Sequence, residues 1–322
     1  MLKSKIKYGK IYKKIFVKGE YTVEFIILLL LMVAFIVFLL ITGERILVSS
    51  IIRPKKITTD TIDSGIRFQN ENRFTVNTSS EIPLSFLYIP AKADERIPDK
   101  IVFLFHGYNR TGESVKKYAS IFLEEGFSVI IPDNRFCGHS GGDCLGLAAL
   151  DADDSLAIFK WIKDCFPGDI PIGLFGESFG AAQAILLASS NNVQNISFVI
   201  SDSSFSNLYS LLKERVRADY RIKAFPLLTV AAFSIKKKYG IDIKNVSPLK
   251  ALEKCADIPV FFIHGENDTF ILPQMSIDLY NAKNCGYKKF YLAEGASHCS
   301  AYDIDPEGYK KKIQEFLNKI NA

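Results

Sequence analysis

The sequence predicts an α/β protein: a mostly parallel, doubly wound sheet with a helical cap insertion, preceded by one N-terminal transmembrane helix. Three observations carry this. From about residue 65 to the end, short apolar runs alternate with helical patterns over some 258 residues, the size of one domain. Residues 203–250 break that alternation with helical, basic-apolar sequence. Phe25–Ile41 (FIILLLLMVAFIVFLLI) contains no polar side chain in 17 residues.

That run, about 26 Å long as a helix, is at the short end of what crosses a bilayer, and Thr22, Val23, Thr42 and Gly43 can extend it. A cleaved signal peptide would have a shorter apolar region and a small-x-small site. Gly43-Glu44-Arg45-Ile46 follows instead, so an uncleaved anchor over 23–43 is expected. Residues 1–22 form a basic tail, in which seven lysines face one acid, Glu20. Arg45, Arg53, Lys55 and Lys56 follow the span. The excess on the N-terminal side predicts a single-pass protein of the cell membrane, with a cytoplasmic N-terminus and an extracytoplasmic main domain.

Residues 44–64, with Pro54 and several threonines, read as a tether, and 65–322 as the domain. Arg67–Val76 and Leu84–Ile89 read as two antiparallel strands. Lys100–Phe105 (KIVFLF) is a buried strand, followed by a helix around Val115–Glu125. Phe127–Ile131 is a strand and Leu147–Phe166 a helix with one apolar face. Ile170–Phe175 (IPIGLF) is a strand, and the helix Ala181–Ser190 is rich in small residues. Ile196–Ile200, Pro259–Ile263 and Lys289–Leu292 are further strands, and Gly308–Ile320 is a terminal helix. The insertion at about 203–250 falls between two of these strands, where it can cap a site at the strands' carboxyl ends.

The net charge of +5 belongs to the tail: residues 1–20 sum to +6 and the other 302 residues to −1, which gives nucleic acid no electrostatic reason to bind. Six cysteines (137, 144, 165, 255, 285 and 299) show no metal-ligand spacing. An oxidising exterior permits a Cys137–Cys144 disulfide, and two free buried thiols are the equal alternative.

Gly176-Glu177-Ser178-Phe179-Gly180 fits G-x-S-x-G, and its setting matters more than its letters. An apolar strand precedes it and a small-residue helix follows, the strand–turn–helix of a nucleophile elbow. There a strained backbone lifts the serine hydroxyl, and Gly176 and Gly180 relieve crowding. Such a serine needs a base and an orienting acid, in the chain order serine, acid, histidine. Only His264 and His298 lie downstream. His298, in the small-residue loop after the last strand, is the expected base, and His264, at a strand end, a structural residue. The loop Gly265-Glu266-Asn267-Asp268 offers two acids, of which Asp268 lies nearer the turn toward the next helix. Oxyanion donors are expected at the Phe179 N–H and, from the loop His106-Gly107-Tyr108-Asn109, at the Tyr108 N–H. His106-Gly107 opens the turn that aims this N–H, and a solvent-facing His106 without a part in it is the alternative.

Taken together, HGY, GESFG, HGENDTF and GASH, in this order, resemble the alpha/beta-hydrolase superfamily. The loop Asp133–Gly142 further resembles the D-x-R-x-x-G-x-S-x-G loop of membrane-tethered bacterial serine hydrolases related to the serine aminopeptidase and prolyl-oligopeptidase groups. It departs from them at Phe136 and Cys137, where small residues are common. The resemblance covers about 65–322 and implies a triad of Ser178, Asp268 and His298, with no metal or organic cofactor. The expected chemistry is hydrolysis of an ester, thioester or related acyl bond. The cap's Phe225, Leu227, Leu228, Val230 and Phe233, near Arg215, Arg217, Lys223 and Lys236–Lys238, suit a lipid-like as well as a small acyl substrate. An aminopeptidase-like activity, with Glu177 as a charge for a substrate amine, and a non-catalytic binding protein on the same fold are the alternatives.

Overall fold

Strands covered on both faces read as unbroken apolar runs, and the inner strands of this sheet, IVFLF, SVIIP and VFFIHG among them, are largely of that kind. The computed structural model describes residues 2–57, 63–93, 96–255 and 257–321, with side chains from Glu24 onward. The chain divides into two compact units, Met1–Leu47 and Val48–Ala322.

The first unit is carried by α1, a continuous helix over Leu2–Ile52. Its portion Glu24–Ile52 is long and apolar enough to cross a membrane. The helix runs nine residues past the expected end of the anchor at 43. Val48, Ile51 and Ile52 recur on one helical face and are buried, so the last turn is held by packing. Residues 48–57 therefore belong to the second unit instead of hanging as a tether, and 58–62 of that tether lie outside the described residues.

Eight strands form one sheet among the described residues: β1 (Asn72–Asn77), β2 (Pro83–Ile89), β3 (Ile101–Phe105), β4 (Ser128–Pro132), β5 (Ile172–Glu177), β6 (Ile196–Asp202), β7 (Val260–Gly265) and β8 (Lys288–Ala293). Their order is β1-β2-β4-β3-β5-β6-β7-β8. The pairs β1–β2 and β2–β4 are antiparallel and the rest parallel. β1 starts later than expected because the chain turns at Asn70, with φ 61°, and Glu71 pairs with buried Lys116.

Alternate residues of the inner strands feed two cores. Phe103, Leu174, Val199 and Phe262 meet α3 (Ala149–Cys165), α4 (Phe179–Ala188) and α8 (Pro273–Ala282) on one face. Val102, Phe175, Ile200 and Phe261 meet α2 (Ala119–Glu124) and α10 (Pro306–Asn321) on the other. Each buried Phe contributes roughly 1.5–3 kcal/mol, so the two layers fix the strand ends from which the site is built. Between β6 and β7 the chain inserts α5 (Leu208–Tyr220), α6 (Leu227–Tyr239) and the short α7 (Pro248–Ala251). The one-turn α9 (Ala301–Ile304) precedes α10.

Candidate active site

β5 ends at Glu177 and α4 begins at Phe179, leaving Ser178 alone on the turn with φ 56° and ψ −118°. A β-carbon built at Gly176 would stand 2.1 Å from the Gly180 carbonyl oxygen, and one at Gly180 would stand 2.2 Å from that of Phe105. The two glycines thus let three backbone segments touch, a tighter demand than relief of strain. The Ser178 N–H donates to the Asp202 carbonyl at 2.7 Å, fastening the turn to β6.

The structure brings Ser178, Asp268 and His298 together. The carboxylate of Asp268 accepts from His298 Nδ1 at 2.7 Å. An ionised acceptor there puts the ring proton on Nδ1 and leaves Nε2 to accept from the Ser178 hydroxyl, 2.9 Å away. Oδ1 of Asp268 accepts from the N–H groups of Phe270 (2.8 Å) and Ile271 (2.9 Å). Burial works to raise the Asp268 pKa, but hydrogen bonds from His264, His298 and Ile271 outweigh it and hold the carboxyl well below the usual carboxylate range. Glu266, the other acid of this loop, is exposed and accepts from the Gly295 N–H.

Sequence reasoning passed over part of this. His264, expected as a structural residue, is buried with its Nε2 3.0 Å from Asp268 Oδ2 and 2.8 Å from the Ile271 carbonyl. Its Nδ1 accepts from Ser276 on α8 at 2.7 Å. One carboxylate therefore serves two histidines. A histidine four residues before the acid, at the end of an apolar strand, is the only trace of this in the sequence.

On the opposite side, Phe179 opens α4, so its N–H sits at the positive end of the helix. The loop after β3 passes close to Ser178, where a β-carbon on Gly107 would lie 3.4 Å from Ser178 Cβ. The rings of Tyr108 and Phe179 are 5.2 Å apart. His106, expected either to open this turn or to face solvent, is buried and clamps the loop. Its Nδ1 lies 2.8 Å from the Gly107 carbonyl and its Nε2 accepts from the Asn134 N–H at 3.0 Å. Burial lowers its pKa and keeps it neutral for that purpose. Arg135 grips buried Asp154 with two hydrogen bonds, steadying the same stretch.

Glu177 does not face the cleft. It is buried, accepts from the Tyr118 hydroxyl at 3.1 Å, and burial pushes its pKa up to about 7. From the insertion, Arg215 donates to the Thr269 carbonyl at 3.1 Å and lies over the Phe270 ring, whose centroid is 4.9 Å from that of His298. Phe225 and Phe233 are 75% and 67% exposed. Cys137 and Cys144 are buried free thiols. Among the described residues no cluster of three or more His, Cys, Asp or Glu side chains is placed to hold a metal ion.

A family model described as the alpha/beta hydrolase fold matches residues 100–237. The Bacillus subtilis (strain 168) protein YqkD is 34% identical over 220 residues, 68% of this chain and 72% of its own length. The protein bem46 of Schizosaccharomyces pombe is 24% identical over 253 residues, 78% of each chain. Among solved structures, the Pyrococcus furiosus esterase Pf2001 superposes with a TM-score of 0.67 over 84% of this chain and 98% of its own, at 22% identity. The esterase Est1E of Butyrivibrio proteoclasticus does so with a TM-score of 0.56 over 78% and 99%, at 17% identity. These two likenesses speak for the fold, and the relationship to YqkD for descent. The chain belongs to the alpha/beta-hydrolase superfamily.

Proposed function

We propose that this protein is a membrane-anchored serine hydrolase that cleaves an ester, thioester or related acyl bond through an acyl-enzyme. The observation that carries the reading is the unbroken relay from Asp268 through His298 to Ser178, at 2.7 and 2.9 Å, on a serine with positive φ. His298 takes the serine proton as Oγ attacks the carbonyl, and returns it to the leaving group. Asp268 holds the imidazole in the needed tautomer and stabilises the imidazolium. The N–H groups of Phe179 and Tyr108 receive the developing oxyanion, and water then discharges the acyl group.

Ester chemistry is preferred to aminopeptidase chemistry because the Glu177 carboxylate is buried on Tyr118 and offers nothing to a substrate amine. A lipid-like acyl substrate suits the exposed Phe225 and Phe233, flanked by Lys223 and Lys236–Lys238, in a chain whose N-terminal helix can span a bilayer. The anchor is assigned an N-in orientation from the lysine excess, with α5 and α6 as the cap over an extracytoplasmic site.

A fluorophosphonate should label the detergent-solubilised wild type and not Ser178→Ala; an unlabelled wild type overturns the enzyme reading. p-Nitrophenyl acyl esters should be cleaved and aminoacyl-p-nitroanilides left intact. Equal rates on micellar and monomeric esters of one chain length would remove the lipid assignment. In intact cells a membrane-impermeant maleimide should reach the exposed Cys165 and Cys285, and no labelling before lysis reverses the orientation.

A further inference from the structure

The last four carbonyls of an α-helix have no partner within the helix and must be satisfied from outside. At the end of α1 the Ser49 carbonyl accepts from the Arg53 N–H at 2.8 Å. The next two accept from one side chain: the Tyr108 hydroxyl lies 2.7 Å from the Ser50 carbonyl and 3.1 Å from that of Ile51. The last, Ile52, accepts from the Leu145 N–H at 2.9 Å. The end of the apolar helix is capped by the loop that carries an expected oxyanion donor.

The chain beyond the helix repeats the pattern. The Lys55 carbonyl accepts from Asn109 Nδ2 at 3.2 Å, and that of Ile57 from the Gly138 N–H at 3.1 Å. Lys56 donates to the Ser140 carbonyl at 2.9 Å. Arg53 pairs with Asp143 and lies 5.6 Å from the Tyr239 ring centroid. Val48, Ile51 and Ile52 are buried beneath. Residues 48–57 thus form a strap that touches the loop after β3, the loop after β4 and the end of α6.

We propose that Tyr108 is a positioning residue: its phenol ties the oxyanion loop to the end of α1, so that the strap 48–57 sets where the Tyr108 N–H points during acyl transfer. This rests on the serine-hydrolase reading. Two observations beyond the hydrogen bonds support it. The Tyr108 ring packs on that of Phe179, the residue supplying the other donor, so the phenol tether and the ring contact fix one donor against the other. Burial pushes the phenol pKa upward, which keeps the hydroxyl a donor to carbonyls at the negative end of a helix. A donor must wait at the place the oxyanion will occupy, and slack in the loop forfeits that preorganisation.

The test compares Tyr108→Phe with wild type, both full-length in the same detergent, on a short p-nitrophenyl ester and its thionoester. Sulfur in place of the carbonyl oxygen is a poorer acceptor, so the ratio of ester to thionoester rates reports on the oxyanion donors, whereas general loosening of the fold lowers both rates together. The expected result is a loss of about 10- to 100-fold in ester kcat/KM, less than removal of a donor outright. The loss should lie mostly in kcat, with a narrowed ester-to-thionoester ratio. Equal losses on both substrates, or no loss on either, overturn the proposal while leaving the hydrolase reading intact. An inactive wild type overturns that reading instead. Should Tyr108→Phe fail to fold, the double variant Arg53→Gln, Lys56→Gln loosens the strap from its outer side. It should narrow the same ratio, and an unchanged ratio there counts against the strap.

Discussion

The two sides of Ser178 are supported in different ways. On the side proposed to transfer protons, Asp268 is held by two histidines and two backbone N–H groups, all from residues 264–298. On the donor side, the loop 106–109 is held by Asn134 and by the backbone of residues 50–55, more than fifty positions away in sequence. One side is assembled from the ends of neighbouring strands. The other leans on the route by which the chain enters the domain. Under the proposed mechanism, the groups that would move protons are built within a short stretch, while those that would meet transient charge depend on distant backbone.

The largest expected effect lies on the proton side. His298→Ala should lower kcat by about 10⁶-fold on a p-nitrophenyl ester, measured by initial rates with active-site titration. Asp268→Asn should cost about 10⁴-fold through the wrong tautomer. If the loss is under tenfold, the second histidine has taken over the tautomer's control and the proton side is less fixed than its contacts imply.

Glu177, next to Ser178 in sequence but buried on Tyr118, gives a stability effect. Between pH 4.5 and about 7 the unfolded chain has released this proton while the native protein retains it, so stability falls as pH rises through that window. Glu177→Gln removes this term, on the order of 3 kcal/mol. Its Tm at pH 8 should exceed that of wild type, with the two converging near pH 4, as read by scanning fluorimetry. A parallel pair of curves would place the Glu177 proton elsewhere.

His106→Ala probes the donor side. It strands the buried Asn134 N–H and should cost about 1–3 kcal/mol of stability, seen as a Tm lowered by several degrees, with kcat down about tenfold. A loss matching that of Asp268→Asn would erase the contrast between the two sides. Smallest is Arg215→Ala, which frees the Phe270 ring from its cation and should change kcat/KM by only a few-fold, about 0.5–1 kcal/mol.

Much of this was legible in the sequence, for physical reasons. Ser178 announces itself because an elbow needs a strand, a glycine on each side and a small-residue helix, all local. His298 and Asp268 follow from chain order and from loops at strand ends. The strands KIVFLF and PVFFI are apolar on both faces because both faces are covered. What stayed hidden was tertiary. Nothing near Tyr108 says that its hydroxyl meets Ser50 and Ile51. The buried face of Val48, Ile51 and Ile52 was visible as a helical spacing, but it sat next to a run so apolar that the end of the span drew the boundary too early. His264 looked like a strand terminus because its partners, Asp268 and Ser276, are brought to it by a turn and a helix. Glu177 read as a charge beside the expected nucleophile, whereas alternation along β5 carries it to the face of Phe175, where Tyr118 covers it.

The buried last turn of α1 also bears on how the protein should be handled. A soluble fragment begun at residue 65, the boundary that composition alone recommends, would lack Val48, Ile51 and Ile52 and bare the apolar surface they cover. Such a fragment invites aggregation in proportion to that surface. A start at or before Val48 keeps the domain's own plug in place.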